Sequence, residues 1–258
     1  MCPPKYYGVD YEINPWMHLE SPPDFEKAQK QWNSLHDILL SWGLDIQLIE
    51  PQPKLPDMVF TANGGLIADG KAILTHFKHK QRQGEMTFFQ EYFKQYGLET
   101  IALQGDYSFE GEGDALFFGD TLVAGYRTRS DIQVHQEISK IIDCSVISVE
   151  LVSPDFYHLD TCFCPLDDQN AFYYPGAFDE YGQKALARLI PNLIEVSRED
   201  AIAFCCNAVV VEKNIVLNHC SLDLQLTLKN LGYFLHCMEF DQFIKAGGSS
   251  KCMVLTMV

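Results

Sequence analysis

Apolar and polar positions along this chain follow one recurring pattern. Short apolar runs come in pairs, each pair hinged at a polar dipeptide: 64–74 about Asp69-Gly70, 114–124 about Gly119-Asp120, 161–174 about Asp167-Asp168, and 207–217 about Lys213-Asn214. Asp-Gly and related pairs supply the positive φ that tight turns use, so each pair predicts a β-hairpin. A stretch with helical spacing follows each hairpin, over 83–96, 130–142, 178–189 and 221–231. A strand-like run follows each helix, at 99–103, 145–149, 193–196 and 233–236. The predicted unit is ββαβ, four times over. A helix over 24–42, a run at 45–49 and strand-like segments near 7–10 and 253–257 offer material for a fifth unit. Pairing the two termini would close a ring, and radial repeats bring the loops between strands to one mouth. The expected fold is therefore α/β, one domain over 1–258, with no linker or low-complexity break.

Composition narrows the class. A chain of 258 residues that is 47% hydrophobic can bury a sizeable core. No apolar run approaches the roughly 20 residues that span a bilayer, and the N-terminus lacks a secretory apolar stretch. A cytoplasmic protein with no membrane partner is expected. The nine cysteines are odd in number and scattered, unlike a disulfide framework. Cys162-x-Cys164 and the Cys205-Cys206 pair lack zinc-site spacing and read as small core residues, so no metal is expected. A net charge of −16 argues against nucleic acid and is compatible with a small cationic substrate.

Four short segments carry the candidate chemistry. Cys252 follows Gly247-Gly248-Ser-Ser-Lys, an approach flexible enough to present a thiol at a cavity mouth. His158 stands two residues before Asp160, and on a strand both would face the same side. Glu110, Glu112 and Asp114 alternate with glycines, and Asn63 ends Phe60-Thr-Ala-Asn. Taken singly, these read as a buried thiol, a structural histidine, turn-capping carboxylates and a turn asparagine. All of them lie at hairpin edges, which a ring would bring together. Together they form a kit for attack on a cationic carbon: nucleophile, acid/base, carboxylate and amide.

The constellation resembles the guanidino-group-modifying superfamily of arginine deiminases, dimethylarginine dimethylaminohydrolases, amidinotransferases and arginine dihydrolases. His158-Leu-Asp160-Thr161, Gly247-Gly248…Cys252 and Glu110-Gly-Glu112-Gly-Asp114 are similar to its motifs. The resemblance implies a pentein, a five-bladed α/β propeller of ββαβ repeats with pseudo-five-fold symmetry. It implies Cys252 as nucleophile, His158 as acid/base, and Glu110 and Asp160 as holders of the guanidinium. Glu112 competes with Glu110, which is preferred because it follows an apolar residue. Arg82 and Arg129 are placed like a clamp on a substrate carboxylate, with Asn14, Phe60 and Asp114 as further substrate contacts. Asn63, where deiminases carry an acid, and Asn14 look like the arginine dihydrolase branch. That branch converts L-arginine to ornithine, ammonia and carbon dioxide through a Cys252 thiouronium, without a cofactor. The alternatives are an arginine deiminase or dimethylargininase-like amidinohydrolase that stops at citrulline, an amidinotransferase, and a catalytically silent binding module. The sequence leaves a homo-oligomer open.

Overall fold

The four predicted units are present as four separate three-stranded sheets in the structure, a computed structural model that describes residues 1–257. The first holds β1 (Gly65–Ala68), β2 (Lys71–Leu74) and β3 (Glu99–Ile101), with α2 (Lys80–Gln83) and α3 (Glu85–Gln95) crossing between its last two strands. The second holds β4 (Ala115–Phe118), β5 (Thr121–Tyr126) and β6 (Ser145–Glu150), crossed by α4 (His135–Ile141). The third holds β7 (Phe163–Pro165), β8 (Asn170–Tyr173) and β9 (Asn192–Glu195), crossed by α5 (Glu180–Leu189). After a short α6 (Arg198–Ile202), the fourth holds β10 (Val209–Val211), β11 (Asn214–Leu217) and β12 (Phe234–Cys237), crossed by α7 (Leu222–Asn230). In every sheet the first two strands pair antiparallel and the third joins parallel. A parallel third strand needs a long crossover, which the helix supplies.

The N-terminal helix α1 (Phe25–Ser41) also forms as expected. Asp24 accepts from the Lys27 amide as its N-cap, and Ala28, Trp32, Leu35 and Leu39 form its buried stripe. Cys162, Cys164, Cys205 and Cys206 all lie in the largest core cluster, as small apolar residues. Among the described residues, no helix is long and apolar enough to cross a membrane.

Three local expectations are corrected. The fourth hairpin turns at Glu212-Lys213, because Val211 already pairs with Asn214 and Glu212 takes φ 53°. His158 and Asp160 are not on a strand: His158 is extended and Asp160 lies in the 3₁₀ turn Leu159–Thr161. No strand is assigned at 7–10, 45–49 or 253–257 among the described residues. The Met1 amino group donates to the Gln47 carbonyl at 2.8 Å and the Ile49 amide to the Met1 carbonyl at 3.0 Å, without a ladder. Pro3, Pro4, Pro51 and Pro53 flank these bonds and cannot donate, so pairing does not extend. Instead, Tyr7 bonds to the Gln242 carbonyl beside α8 (Asp241–Ile244), and Val9 packs with α1 and Phe243.

What positions the site is a set of 3₁₀ turns. Thr61–Gly64, Gly111–Gly113 and Leu159–Thr161 lead into the first, second and third sheets, and Lys251–Met253 leads into the last extended segment. Thr61 ties the first turn to the last by donating to the Met253 carbonyl at 2.9 Å.

Candidate active site

Six of the predicted residues border one hollow: Asn14, Phe60, Asn63, Arg82, Arg129 and Cys252. Asp57 and Tyr157 complete much of its wall. Its free volume is about 10 Å³, room for about one water. Cys252 is therefore not displayed at an open mouth; it is 2% exposed. The glycines before it serve a different need. Gly247 has φ 83°, and a Cβ there would stand 2.5 Å from the Tyr157 hydroxyl, which donates to the Gly247 carbonyl.

The thiol wall is built on Asn207, which sequence reasoning did not single out. Its Oδ1 accepts from the Ser249 and Cys252 amides at 3.1 and 3.2 Å, and its Nδ2 contacts the Cys252 Sγ at 3.1 Å. The signal was available: Asn207 opens the fourth hairpin, at the kind of position that carried chemistry in the others. Across the thiol, Asp160 Oδ2 accepts from Cys252 Sγ at 3.3 Å, while Oδ1 is buried with no partner. Burial pushes the Asp160 carboxyl up to about 7, against the partial offset of Lys251, Cys252 and Asn207. Burial, with Asp160 second, pushes the Cys252 thiol well above its ordinary value. At rest the nucleophile candidate is a neutral thiol.

The histidine wall stands behind the lining of the hollow: His158, Glu110 and Asp160 do not border it, and they meet it through Arg129 and Cys252. His158 Nε2 lies 2.7 Å from Glu110 Oε2, and Arg129 Nη1 donates to the same oxygen at 3.0 Å. Burial alone would raise the Glu110 carboxyl, but Arg129 and His158 outweigh it and hold the group well below the ordinary carboxylate range. An ionised Glu110 can only accept, which places a proton on Nε2. Glu112 points elsewhere: it accepts from Lys251 Nζ at 2.7 Å and the Thr256 amide at 3.0 Å. Gly111 separates the two carboxylates at φ 59°, and any Cβ there would strike the Gly65 carbonyl at 2.5 Å.

Other candidates sit differently from expectation. Asp114 does not border the hollow. It accepts from the Leu159 amide at 3.1 Å and from Ser130 Oγ at 2.6 Å, and Ser130 accepts from the Glu110 amide at 3.0 Å. Burial pushes the Asp114 carboxyl up to about 6. It fastens the Glu110 and His158 segments to each other. Asn14 is used locally: its Oδ1 accepts from the Trp16 and Met17 amides and its Nδ2 donates to the Ala246 carbonyl at 3.0 Å. Arg82 is not a free clamp. Its Nε and Nη2 grip both oxygens of Glu85 at 2.9 and 2.8 Å, Nη2 also donates to the Asp57 carbonyl, and Nη1 donates to Asn63 Oδ1 at 2.7 Å. Arg129 also donates to the Ile13 carbonyl and lies 4.6 Å over the Tyr157 ring.

Asp57 was missed as well. Its Oδ1 is buried without a partner, and Tyr11 donates to Oδ2 at 2.9 Å. Spacing could have found it: Asp57, Phe60 and Asn63 recur every three residues, which in consecutive 3₁₀ turns shares one face. Asp57 on the lining of the hollow and Asp160 behind Cys252 thus each offer one buried acceptor, Oδ1, without a donor among the described residues. Such acceptors suit a planar, donor-only cation beside a thiol.

Comparison with known proteins places the chain among relatives that act on guanidino compounds. The family model described as N,N dimethylarginine dimethylhydrolase, eukaryotic, matches residues 15–258. The bifunctional arginine dihydrolase/ornithine cyclodeaminase ArgZ of Synechocystis sp. is 43% identical over 263 residues, covering 99% of this chain but only 37% of that protein. The N(G),N(G)-dimethylarginine dimethylaminohydrolase of Mycobacterium tuberculosis is 39% identical over 255 residues, covering 99% of this chain and 84% of that one. A crystal structure of the N-terminal domain of ArgZ, covalently bound to a reaction intermediate, superposes with a TM-score of 0.97 at 42% identity and covers 100% of this chain and 96% of that one.

Proposed function

The chain belongs to the N,N dimethylarginine dimethylhydrolase family, and on that premise we propose that it hydrolyses L-arginine to ornithine, two ammonia and carbon dioxide with Cys252 as nucleophile. It spans 37% of the length of the bifunctional cyanobacterial relative, so the proposal concerns the guanidino chemistry alone. One observation carries it: Cys252 lies beside a carboxylate, Asp160, whose Oδ1 no donor among the described residues satisfies. A guanidinium seated there, in a hollow that must widen from its present room for about one water, supplies the missing donors.

The sequence of events follows from the charges. Binding a cation between Cys252 and the buried carboxylates restores the stabilisation that burial took from the thiolate. His158, whose Nε2–H is committed to Glu110, takes the thiol proton on Nδ1; the thiolate attacks the guanidinium carbon, and that proton passes to the departing ammonia. Water resolves the thiouronium to a ureido group. A second attack releases ornithine and leaves a carbamoyl thioester, whose hydrolysis yields the second ammonia and carbon dioxide. Asp57 and Asp160 hold guanidinium nitrogens and orient the carbon. Glu110, already committed to His158 and Arg129, orients the imidazole rather than the substrate. Arg129 is the better placed of the two arginines to meet the substrate carboxylate.

Asn63 decides the product. A carboxylate there matches only the guanidinium, whereas an amide also donates to the ureido oxygen and keeps that intermediate bound for the second attack. The carbonyl of Asn63 is occupied by Arg82, so its Nδ2 does the holding. The alternative, hydrolysis that stops at citrulline, is favoured by the mycobacterial relative's name. Incubation with arginine, quantifying ornithine, citrulline and ammonia together, separates the two. Asn63→Asp should release citrulline; an unchanged ornithine fraction in that variant overturns the role given to the amide.

We also propose that the sheets are blades of one five-fold propeller and that residues 1–258 form one domain. Ile67, Leu116, Cys164, Val210 and Val254, one from the first strand of each sheet plus the last segment, border a common chamber of about 250 Å³. That shared lining supports a ring whose fifth member is extended but unladdered.

A further inference from the structure

We propose that Glu85 is a positioning residue that sets which product leaves, by holding Arg82 so that Arg82 fixes the orientation of Asn63. The inference rests on the role given above to Asn63. Glu85 is fully buried, and its two carboxylate oxygens are both taken by Arg82, at 2.9 and 2.8 Å. That bidentate grip leaves Nη1 aimed at Asn63 Oδ1, 2.7 Å away. Arg is a donor only and does not lose its proton. An amide facing it must therefore present oxygen, because the flipped amide would set N–H against N–H. With Oδ1 pinned, Nδ2 faces the opposite way, 3.3 Å from the Glu110 carbonyl, with its second N–H left for an oxygen in the hollow.

A ureido intermediate brings such an oxygen, whereas the guanidinium substrate brings none. The chain Glu85–Arg82–Asn63 thus spends three buried polar groups on keeping a donor, rather than an acceptor, turned to the reaction centre. An alternative partner for Arg82 is close at hand. Asp57 Oδ2 lies 3.9 Å from Nε, so an Arg82 released by Glu85 has a carboxylate to swing to, dropping the Asn63 carbonyl as it goes.

The test is the product ratio of Glu85→Gln, which preserves shape and removes the charged grip. The expected result is a fall of about tenfold or more in ornithine relative to citrulline, the loss of roughly one hydrogen bond to a charged group, with arginine still consumed. Leu186→Ala, a core truncation in α5 remote from the hollow, serves as the control for destabilisation: it should lower the melting temperature and leave the ratio parental. If Glu85→Gln is recovered unfolded, Arg82→Lys carries the same expectation, since one ammonium cannot reach Glu85 and Asn63 as the planar fork does. A folded Glu85→Gln, or in its place a folded Arg82→Lys, with the parental ratio overturns the inference. If Asn63→Asp shifts the ratio while the Glu85 or Arg82 variant does not, the role of Asn63 stands and only this inference falls. If none of the variants shifts it, both fall.

Discussion

The two walls of the site each hold a fully buried carboxylate behind the lining of the hollow, Glu110 behind Arg129 and Asp160 behind Cys252, and the two groups behave in opposite ways. Glu110 is compensated twice over, by Arg129 and His158, and stays ionised far below the ordinary range. Asp160 faces a neutral thiol and an amide, keeps one oxygen unpartnered, and holds its proton up to about 7. The difference teaches how to read acid residues in a closed site. A satisfied carboxylate is part of the scaffold that aims a histidine, while an unsatisfied one awaits a cation from outside.

The sharpest way to break this comparison is at the thiol between the walls. Cys252→Ser should lower turnover by about 10⁴-fold or more while arginine still binds by calorimetry, and retained turnover would place the nucleophile elsewhere. Next, Asp160→Asn should lower kcat/KM by roughly 10²- to 10³-fold through loss of the charged acceptor. The parent's kcat/KM should rise with pH through about 7 as Asp160 ionises in the free enzyme, and that acid limb should vanish from the residual activity of the variant.

Stability should then move in opposite directions on the two walls. Folded Asp160 keeps its proton up to about 7, while an unfolded one loses it near 4, so rising pH penalises the folded state across that window. The melting temperature of Asp160→Asn relative to the parent should therefore increase from pH 5 to pH 8. Glu110 has a depressed folded value, so its contribution is present above about 4.5 and fades as pH falls. Glu110→Gln strands Arg129 and should cost about 3–5 kcal/mol at pH 7 by denaturant unfolding, less in acid. Equal pH slopes for the two variants would remove the distinction between the walls. The smallest effect expected is that of Ser130→Ala, which cuts the tie between the Glu110 amide and Asp114 and should cost about 1–3 kcal/mol.

Much of the architecture was legible before the structure. Hairpins at 64–74 and 114–124 turn where their Asp-Gly and Gly-Asp pairs predict, and α1 and α7 lie within a residue of their expected bounds. The fifth unit was legible only as apolar material: the runs at 7–10 and 253–257 look strand-like, yet no strand is assigned there among the described residues, because their partners lie far along the chain, Tyr7 bonding to the Gln242 carbonyl and Thr61 to that of Met253. In the site, the thiol and the histidine announced themselves by residue type and neighbourhood. Asn207 and Asp57 did not, since they act through partners distant in sequence, Cys252 being 45 residues from Asn207 and Tyr11 46 from Asp57; Glu85 grips an arginine only three residues away, and its bearing on the site comes from that arginine's reach to Asn63, 19 residues from Arg82.

By itself, then, the sequence determined the periodic elements, the core placement of the paired cysteines and the residue kit, because these depend on local spacing and side-chain chemistry. Only the tertiary structure decided that Glu110 rather than Glu112 meets His158, that Arg82 is committed to Glu85 and Asn63, and that Asp160 is left unsatisfied. Those outcomes depend on which groups are buried together. In a closed interior the cost of an unpaired charge is settled by neighbours from other turns of the chain, and no local pattern encodes who those neighbours are.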